Sequence, residues 1–378
     1  MAHFAHHLLT ALPIPLLPMI RSEFALDYTQ SGLSISAFTL SYGIGQLPAG
    51  WLGDRIGRRI LITIGISGVA LAGLLVGFSQ TYIMMIAFLA LMGIMGGGYH
   101  PSCPPMISAS VEPKNQGKAL GIHMIGGGAS FFLAPLIAAA IATTWGWRGP
   151  FIGLAVPTLV FGIVFYILIG RQAVTKITDP KINDRHDYVP STSGRKRHLA
   201  LFIFLSTFTA AVILSTVSFI PLFLVDHFGI GEGTAAALMA FIYSTGLWAG
   251  PLGGYLYDRF GGVSVILAMC FIAGPIIYSL NLTPYGWGIY ALLVIIGMTM
   301  YVRMPVSEAY IINQTSERNR STILGIYYFG AMEGGGVLTP ILGLLIDRLG
   351  FYTSFTIAGA TMFAVTLLCS IWLRDRHS

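Results

Sequence analysis

The sequence predicts an all-α membrane protein, and its composition leads to that fold class. Of the 378 residues, 55% are hydrophobic and only 10% are charged, and the mean hydropathy is +0.75. An ordinary soluble domain carries about 25% charged residues, and a disordered chain is poor in apolar ones. Glycine occurs 46 times, which favours close helix packing in lipid. This composition excludes a soluble globular domain and a disordered chain.

Apolar stretches long enough to cross about 30 Å of hydrocarbon recur along the chain with short polar breaks. The first stretch has neither a basic start nor a small-residue cleavage site, so we interpret it as a retained membrane helix. Its beginning is abrupt, and both a start at Met1 and a natural start further upstream stay open. We predict twelve transmembrane helices, at residues 2–20, 30–52, 60–79, 82–110, 118–142, 149–170, 199–224, 233–256, 263–282, 285–311, 322–346 and 351–373.

A polar stretch divides the predicted helices into two groups of six. It is rich in basic residues and aspartate, contains two prolines and is typical of a flexible linker. We therefore predict an N-terminal six-helix bundle at 1–170, a cytoplasmic linker at 171–198 and a C-terminal six-helix bundle at 199–378.

Basic residues are distributed unevenly between the two sides of the predicted helices. Of the 21 Lys and Arg, Arg21, Arg148 and Arg348 fall on one side, and Arg303 lies inside a span. The other 17 lie on the opposite side, and an excess of basic residues marks the cytoplasmic side. Both termini and the linker are thus predicted to be cytoplasmic. The net charge of +6 has the same origin, so we expect no nucleic-acid partner.

Two internal repeats relate distant segments. At an offset of 204 residues, 50–57 (GWLGDRIG) matches 254–261 (GYLYDRFG). At an offset of 89, residues 258–261 (DRFG) recur at 347–350 (DRLG), and Gly57 recurs as Gly146. Three predicted helices separate the copies of this second repeat, so the copies face opposite sides of the membrane. The pattern predicts two six-helix bundles (6+6) built from 3+3 inverted repeats, the symmetry that alternating access requires.

The loop after the second predicted helix carries a complete G-x-x-x-D-R-x-G-R-[RK] motif, formed by Gly50, Asp54, Arg55, Gly57, Arg58 and Arg59. With this motif in this place, the chain resembles the major facilitator superfamily over nearly its whole length. The resemblance implies a secondary transporter whose cytoplasmic gate is this loop, together with Asp258 and Arg259 of its degenerate copy. The alternative is that the arginines only anchor the loop on the cytoplasmic side.

Two further segments resemble the fosmidomycin-resistance type of efflux protein. They are residues 3–7 (HFAHH), followed by prolines at 15 and 18, and residues 98–101 (GYHP). The antiporter motif of helix five is present in relaxed form, with small residues at the positions of most of its glycines. The arginine that proton antiporters of this superfamily carry in helix four is absent from this sequence. The resemblance favours an exporter.

Three charged residues fall inside predicted spans: Arg303 and Glu308 in helix ten, and Glu333 in helix eleven. Each costs about 2.5–3.5 kcal/mol at the bilayer centre unless it faces protein or water. Two interpretations stay open for Arg303 and Glu333. They form a structural ion pair, or Arg303 binds an anionic substrate while Glu333 carries a coupling proton. Glu308 is a second candidate for proton coupling, although its place near the interface favours a structural role.

Histidines are the main ionisable groups in the first half. His100 and His123 lie in spans four and five, and His100 stands before a proline, which indicates an opened backbone and a binding site. Both are candidate substrate-binding residues, and a packing role is the alternative. His3, His6 and His7 share one face of the first helix. No cysteine or acidic residue accompanies them, so we expect no metal site there.

These observations predict a proton-coupled secondary transporter that exports a small organic anion or drug by alternating access. A proton symporter that imports a carboxylate or similar metabolite is the alternative, and a membrane sensor or scaffold that does not transport is a third hypothesis. The sequence contains no G-x-x-x-x-G-K-[ST] motif, so ATP-driven transport is disfavoured. We expect a monomer in a bacterial inner membrane, with protons and a small molecule as partners, no cofactor and no enzymatic activity.

Overall fold

The computed structural model describes residues 1–112, 115–171 and 193–374, and every regular element in them is helical. Most of the predicted linker lies outside these residues. A π-helical turn (Ile64–Gly68) joins α4 to α5, and a 3-10 turn (Thr245–Leu247) joins α11 to α12. The helices are α1 (Ala2–Thr10), α2 (Leu17–Phe24), α3 (Tyr28–Ile56), α4 (Arg58–Thr63), α5 (Val69–Gly77), α6 (Tyr82–Gly96), α7 (Tyr99–Ala109), α8 (Gln116–Trp145), α9 (Arg148–Arg171), α10 (Ser193–Phe228), α11 (Glu232–Ser244), α12 (Ala249–Phe260), α13 (Gly262–Ser279), α14 (Trp287–Gln314) and α15 (Glu317–Arg374).

The predicted membrane spans are reproduced in part. Within the described residues, eight helical stretches are long and apolar enough to cross a membrane, or nine when α11 and α12, bent by 43°, form one span. The first predicted span is instead two short helices, because Pro13 and Pro15 lie between α1 and α2 and lack a backbone N–H. The last two predicted spans are joined in α15, which has non-helical backbone angles at Gly350.

Four glycines at the repeat positions adopt positive φ angles. Gly57, Gly146, Gly261 and Gly350 have φ angles of 94°, 64°, 75° and 74°. A side chain would strain each of these junctions, because L-residues other than glycine rarely adopt positive φ. The offsets of 204 and 89 residues therefore relate equivalent turns in the backbone as well as in the sequence.

The chain divides into two compact units. Unit 1 comprises Met1–Leu26, Leu33–Arg185 and Leu224–Ala240, and unit 2 comprises Asp27–Gly32, His186–Phe223 and Phe241–Ser378. In unit 1, α1 packs against α8 and α9 around an apolar core that includes Leu9, Leu12 and Phe151. In unit 2, α13 packs against α14 and α15. The division of the sequence at the linker stays a prediction.

An ion pair joins the end of α2 to the start of α9 in unit 1. The Arg148 guanidinium donates to both carboxylate oxygens of Glu23, and the buried Trp147 indole donates to Glu23 Oε2 at 2.7 Å. Burial alone would raise the pKa of Glu23, but hydrogen bonds from Arg148 and Trp147 hold that pKa below its usual value. Glu23 therefore carries a fixed charge and stabilises this helix end.

Candidate functional site

A buried cation lies in α14 of unit 2. The Arg303 side chain is 6% exposed, and its Nη1 donates to the Ser206 carbonyl (3.1 Å), the Ser206 hydroxyl (2.9 Å) and the Tyr327 hydroxyl (3.0 Å). All these partners are neutral. In the described part of the chain no carboxylate pairs with Arg303 at salt-bridge distance, and its buried Nε has no hydrogen-bond partner. Glu308 is near enough for an electrostatic interaction with Arg303, so the guanidinium has a nearby acidic group but only neutral hydrogen-bond partners among the described residues.

Three helices hold this guanidinium in place. Ser206 belongs to α10 and Tyr327 to α15, while the Ser307 hydroxyl lies 2.7 Å from Ser206 Oγ and donates to the Arg303 carbonyl at 2.9 Å. The guanidinium is a planar cation that carries five N–H donors and no acceptor. A planar fork of N–H donors on a fixed cation suits a carboxylate, phosphonate or phosphate group.

The two acidic residues of the predicted coupling site have different surroundings. Glu308 accepts a hydrogen bond from the Tyr328 hydroxyl. Glu333 Oε1 is buried and has no hydrogen-bond partner among the described residues. Arg303 and Glu333 form no ion pair in this structure, because the hydrogen bonds of Arg303 go to Ser206 and Tyr327 instead. The structural pair that the sequence left open is thus not formed.

Five histidines of unit 1 meet in one cluster, which we call the histidine cluster: His3, His6 and His7 of α1, His100 of α7 and His123 of α8. The ring centroids of His3 and His123 lie 4.1 Å apart, and the two rings are stacked. The ring of His100 lies 5.3 Å from that of His3 and 5.2 Å from that of His7. Both predicted substrate-binding histidines are therefore neighbours of the α1 histidines.

Hydrogen bonds fix most of these rings. His6 Nδ1 lies 2.7 Å from the Gly65 carbonyl, and its Nε2 lies 2.9 Å from the Tyr42 hydroxyl. Because a carbonyl only accepts, Nδ1 carries the proton and Nε2 accepts from Tyr42. His3 Nδ1 lies 2.9 Å from the His123 carbonyl, while His123 Nε2 is buried without a partner in the described residues. The cluster thus contains rings that hydrogen bonds hold in place and ring nitrogens that have no hydrogen-bond partner among the described residues.

The predicted cytoplasmic gate is described in part. The surroundings of Gly50 and of the Asp54 side chain lie outside what the structure describes. Arg59 donates from Nε to the Tyr166 carbonyl at 2.9 Å and lies over the Tyr166 ring. The gating role stays a prediction for this loop.

The degenerate copy of this loop, in unit 2, is solvent-exposed. The side chains of Asp258 and Arg259 are both exposed, and Arg259 Nη1 donates to the Tyr255 hydroxyl at 2.9 Å. Arg55 of the complete motif is exposed as well, and Arg58 is half-buried.

Sequence reasoning missed an acidic cap on α3. The Asp347 carboxylate accepts from the Tyr28 amide (2.9 Å), the Thr29 amide (2.8 Å) and the Thr29 hydroxyl (2.6 Å). These amides are in the first turn of α3, where N–H groups lack helical partners and the helix dipole favours an anion. The repeat at residues 347–350 was the available signal, since it marked Asp347 as a counterpart of Asp258. Ser206 and Tyr327 gave no signal, because serine and tyrosine are common in membrane helices.

Removing this cap should loosen the first turn of α3. In the Asp347→Ala variant, we expect the amides of Tyr28 and Thr29 to exchange hydrogen about 5-fold faster, because a lost cap costs about 1 kcal/mol. Residue-resolved hydrogen–deuterium exchange in lipid nanodiscs measures this. The control variant, Asp226→Asn, changes a carboxylate that pairs with Arg21 and should leave these two amides unchanged. Equal exchange in wild type and Asp347→Ala would contradict the capping role.

Comparisons with known proteins agree with these features. The model of the Major Facilitator Superfamily matches residues 1–302 and 245–378, which together span the chain. The chain belongs to this superfamily, a class of membrane transporters, and is therefore an integral membrane protein.

Its relatives include proteins named for drug resistance. The multidrug resistance protein MdtG of Yersinia enterocolitica is 24% identical over 379 residues, covering 97% of this chain and 90% of the relative. MdtG of Citrobacter koseri is 24% identical over 365 residues, covering 93% and 88%. These relatives match the efflux resemblance found in the sequence.

Solved structures share the fold at low sequence identity. A bacterial homologue of the human lysosomal transporter Spinster, inward-facing and occupied, is 18% identical with a TM-score of 0.79, over 98% of this chain and 93% of that one. A POT family transporter in complex with 5-aminolevulinic acid is 12% identical with a TM-score of 0.82, over 100% and 95%. These likenesses establish the fold.

Proposed function

We propose that the protein exports a small organic anion, or a drug carrying an anionic group, in exchange for protons. In this proposal twelve helices in a 6+6 arrangement, with cytoplasmic termini, expose the Arg303 site alternately to the two sides of a bacterial inner membrane. The observation that carries the proposal is the buried Arg303 guanidinium, which has only neutral partners among the described residues.

A buried cation without a salt-bridge partner is costly, so its presence needs a reason. Leaving a charge buried without its partner costs about 3–5 kcal/mol. In a membrane protein such residues mark substrate and ion pathways. An anionic substrate supplies the missing charge only while it is bound. The guanidinium therefore selects anionic substrates. It releases them when the site opens to water, because water then solvates both charges.

Glu333 supplies the proton coupling in this proposal. Its buried Oε1 has no hydrogen-bond partner in the described part of the chain, and it lies in α15, the helix that also carries Tyr327 of the Arg303 site. A carboxyl group in this setting can take up a proton on one side and release it on the other. Antiport requires that protonation of Glu333 and substrate binding at Arg303 exclude one another, so that one is released before the other binds. Repulsion between a charged Glu333 and an anionic substrate favours the joint binding of symport instead, so the sign of coupling has to be measured.

Export agrees with the names of the relatives, which are multidrug resistance proteins. Import by proton symport uses the same two residues with coupling of the opposite sign. The decisive experiment must therefore report the direction of proton movement as substrate moves.

A flux assay in proteoliposomes separates the two directions. Vesicles containing the purified protein, with the pH dye pyranine inside and the membrane potential clamped by potassium and valinomycin, are loaded with benzoate, methylphosphonate or a fluoroquinolone. On dilution into acidic, substrate-free buffer, an antiporter acidifies the interior as substrate leaves. A symporter makes the interior more alkaline instead.

Protein-free liposomes with the same load are the control, because weak acids cross lipid in their neutral form. We expect protein-dependent acidification with at least one anionic compound and none with a neutral analogue of it, such as benzamide for benzoate. Alkalinisation of the interior would identify the protein as a proton symporter, which imports its substrate. If no compound of a broad panel of anions causes proton movement, the proposal is overturned.

A further inference from the structure

We propose that His3, His7 and His100 form a binding site for a transition-metal dication such as Zn²⁺, with a fourth coordination position left open. The site belongs to the histidine cluster of unit 1 and does not depend on the transport reaction proposed above. The sequence alone argued against metal, because the α1 histidines had no suitable partners. The structure supplies one in His100 of α7.

The distances suit a metal centre after a small adjustment. One ring nitrogen of each of His3, His7 and His100 lies within 4.8 Å of the other two. Zinc–nitrogen bonds of about 2.0–2.1 Å in a tetrahedral site place ligand nitrogens about 3.4 Å apart. Each ring therefore moves by less than about 1 Å to reach the ion, which side-chain rotation provides.

Two of the three rings already present a free ring nitrogen. His3 Nδ1 donates to the His123 carbonyl at 2.9 Å, so its Nε2 keeps a lone pair. The Thr10 hydroxyl donates to the His7 carbonyl at 3.4 Å, so its oxygen accepts from His7 Nδ1 at 3.0 Å. His7 Nε2 is then free as well. Metal-binding histidines are typically oriented in this way, with the second nitrogen donating to a carbonyl or another oxygen.

His6 is not a ligand, although it belongs to the cluster. Its Nδ1 donates to the Gly65 carbonyl and its Nε2 accepts from Tyr42, so both nitrogens are used. Its ring stacks on Tyr99 with centroids 4.2 Å apart. His6 therefore packs beside the ligands and restricts the positions they can take.

The remaining contacts keep the site rigid. His3 and His7 are buried, and His3 packs directly on Gly127 of α8, where a Cβ would stand 2.5 Å from His3 Cε1. The His123 ring stacks on His3, and its buried Nε2 has no hydrogen-bond partner among the described residues. His123 Nε2 can therefore form a hydrogen bond with a ligand or a metal-bound water at the neighbouring site.

The ligand set selects the class of metal. Imidazole nitrogens suit Zn²⁺, Co²⁺, Ni²⁺ and Cu²⁺, whereas Mg²⁺ and Ca²⁺ prefer oxygen. Three neutral imidazoles leave the charge of a dication uncompensated. The open position of the metal therefore favours water, hydroxide or an anionic group as the fourth ligand.

Metal binding to the purified protein tests the proposal directly. The protein carries a streptavidin-binding tag instead of a histidine tag, and Co²⁺ is titrated while visible absorption is recorded. We expect one Co²⁺ per chain, with the intense absorption bands of a four-coordinate ion, and displacement by Zn²⁺ but not by Mg²⁺. Weak six-coordinate spectra, or no stoichiometric binding, would overturn the site.

Variants then assign the ligands. We expect His7→Gln and His100→Gln to weaken Zn²⁺ binding by more than about 100-fold, and Thr10→Val, which removes only the acceptor of His7, by about 10- to 100-fold. His227→Gln, a histidine of unit 1 outside the cluster, is the matched control and should bind as wild type does. Size-exclusion profiles establish that each variant is folded. Unchanged affinity in folded His7→Gln or His100→Gln would refute the assignment.

Discussion

Replacing Arg303 by methionine is expected to shift anion-dependent proton flux to much higher substrate concentrations while the protein stays folded and becomes no less stable. The substrate loses a charge-assisted hydrogen-bond partner worth about 1.5–3 kcal/mol, which weakens apparent affinity by about 10- to 100-fold. Flux against substrate concentration in the proteoliposome assay measures this change. Arg303→Lys keeps the charge but loses the planar fork, so we expect it to recover part of the affinity.

Stability separates this functional role from a structural one. A buried charge that only ties helices together would destabilise the protein when removed, whereas a buried charge without a salt bridge, kept for binding, can be replaced by an apolar side chain without loss of stability. We expect a melting temperature in detergent equal to or above that of wild type for Arg303→Met. Lys196→Ala, which removes an exposed cation of the same unit, should leave affinity and stability unchanged. A folded Arg303→Met protein with wild-type affinity would rule out the site.

Replacing Glu333 by glutamine is expected to uncouple transport from protons. Glutamine resembles the protonated carboxyl group but cannot release a proton, so net flux driven by a pH gradient should fall by at least about 10-fold. Exchange of labelled for unlabelled substrate, which needs no net proton movement, should continue. Both assays are run on the same vesicles, and the ratio of pH-driven net flux to substrate exchange measures how tightly transport is coupled to protons.

Glu308→Gln and Glu232→Gln are the matched controls for Glu333. Glu308 accepts a hydrogen bond from Tyr328, and Glu232 is a surface carboxylate bonded to Ser22. We expect both variants to keep the wild-type ratio of driven flux to exchange. If Glu308→Gln loses coupling while Glu333→Gln keeps it, Glu308 carries the proton and the assignment moves to α14.

Some of this structure could be predicted because single residues have strong local requirements. Gly57, Gly146, Gly261 and Gly350 recur at fixed offsets because the turns between helices need positive φ, which only glycine adopts without strain. Arg303 and Glu333 were detectable because a charged residue inside an apolar span is rare and costly. Composition and hydropathy were enough for the fold class, since hydrocarbon demands long apolar helices.

Other features could not be predicted because they depend on contacts between distant segments. Pro13 and Pro15 were visible in the sequence, yet whether they bend the first span or break it into α1 and α2 depends on what packs around them. The Asp347 cap joins residues more than 300 positions apart, and its sequence motif says nothing about its partners on α3.

The membrane class, the superfamily, the repeats and the charged residues that any mechanism must explain all follow from the order of amino acids. What those residues contact became known only from the folded chain. Arg303 forms hydrogen bonds with Ser206 and Tyr327 and no ion pair with Glu333, and His100 packs against the histidines of α1. The physical reason is that hydropathy and backbone angles are local properties of the chain. Hydrogen-bond partners and metal-binding distances are instead set by how helices far apart in sequence pack together.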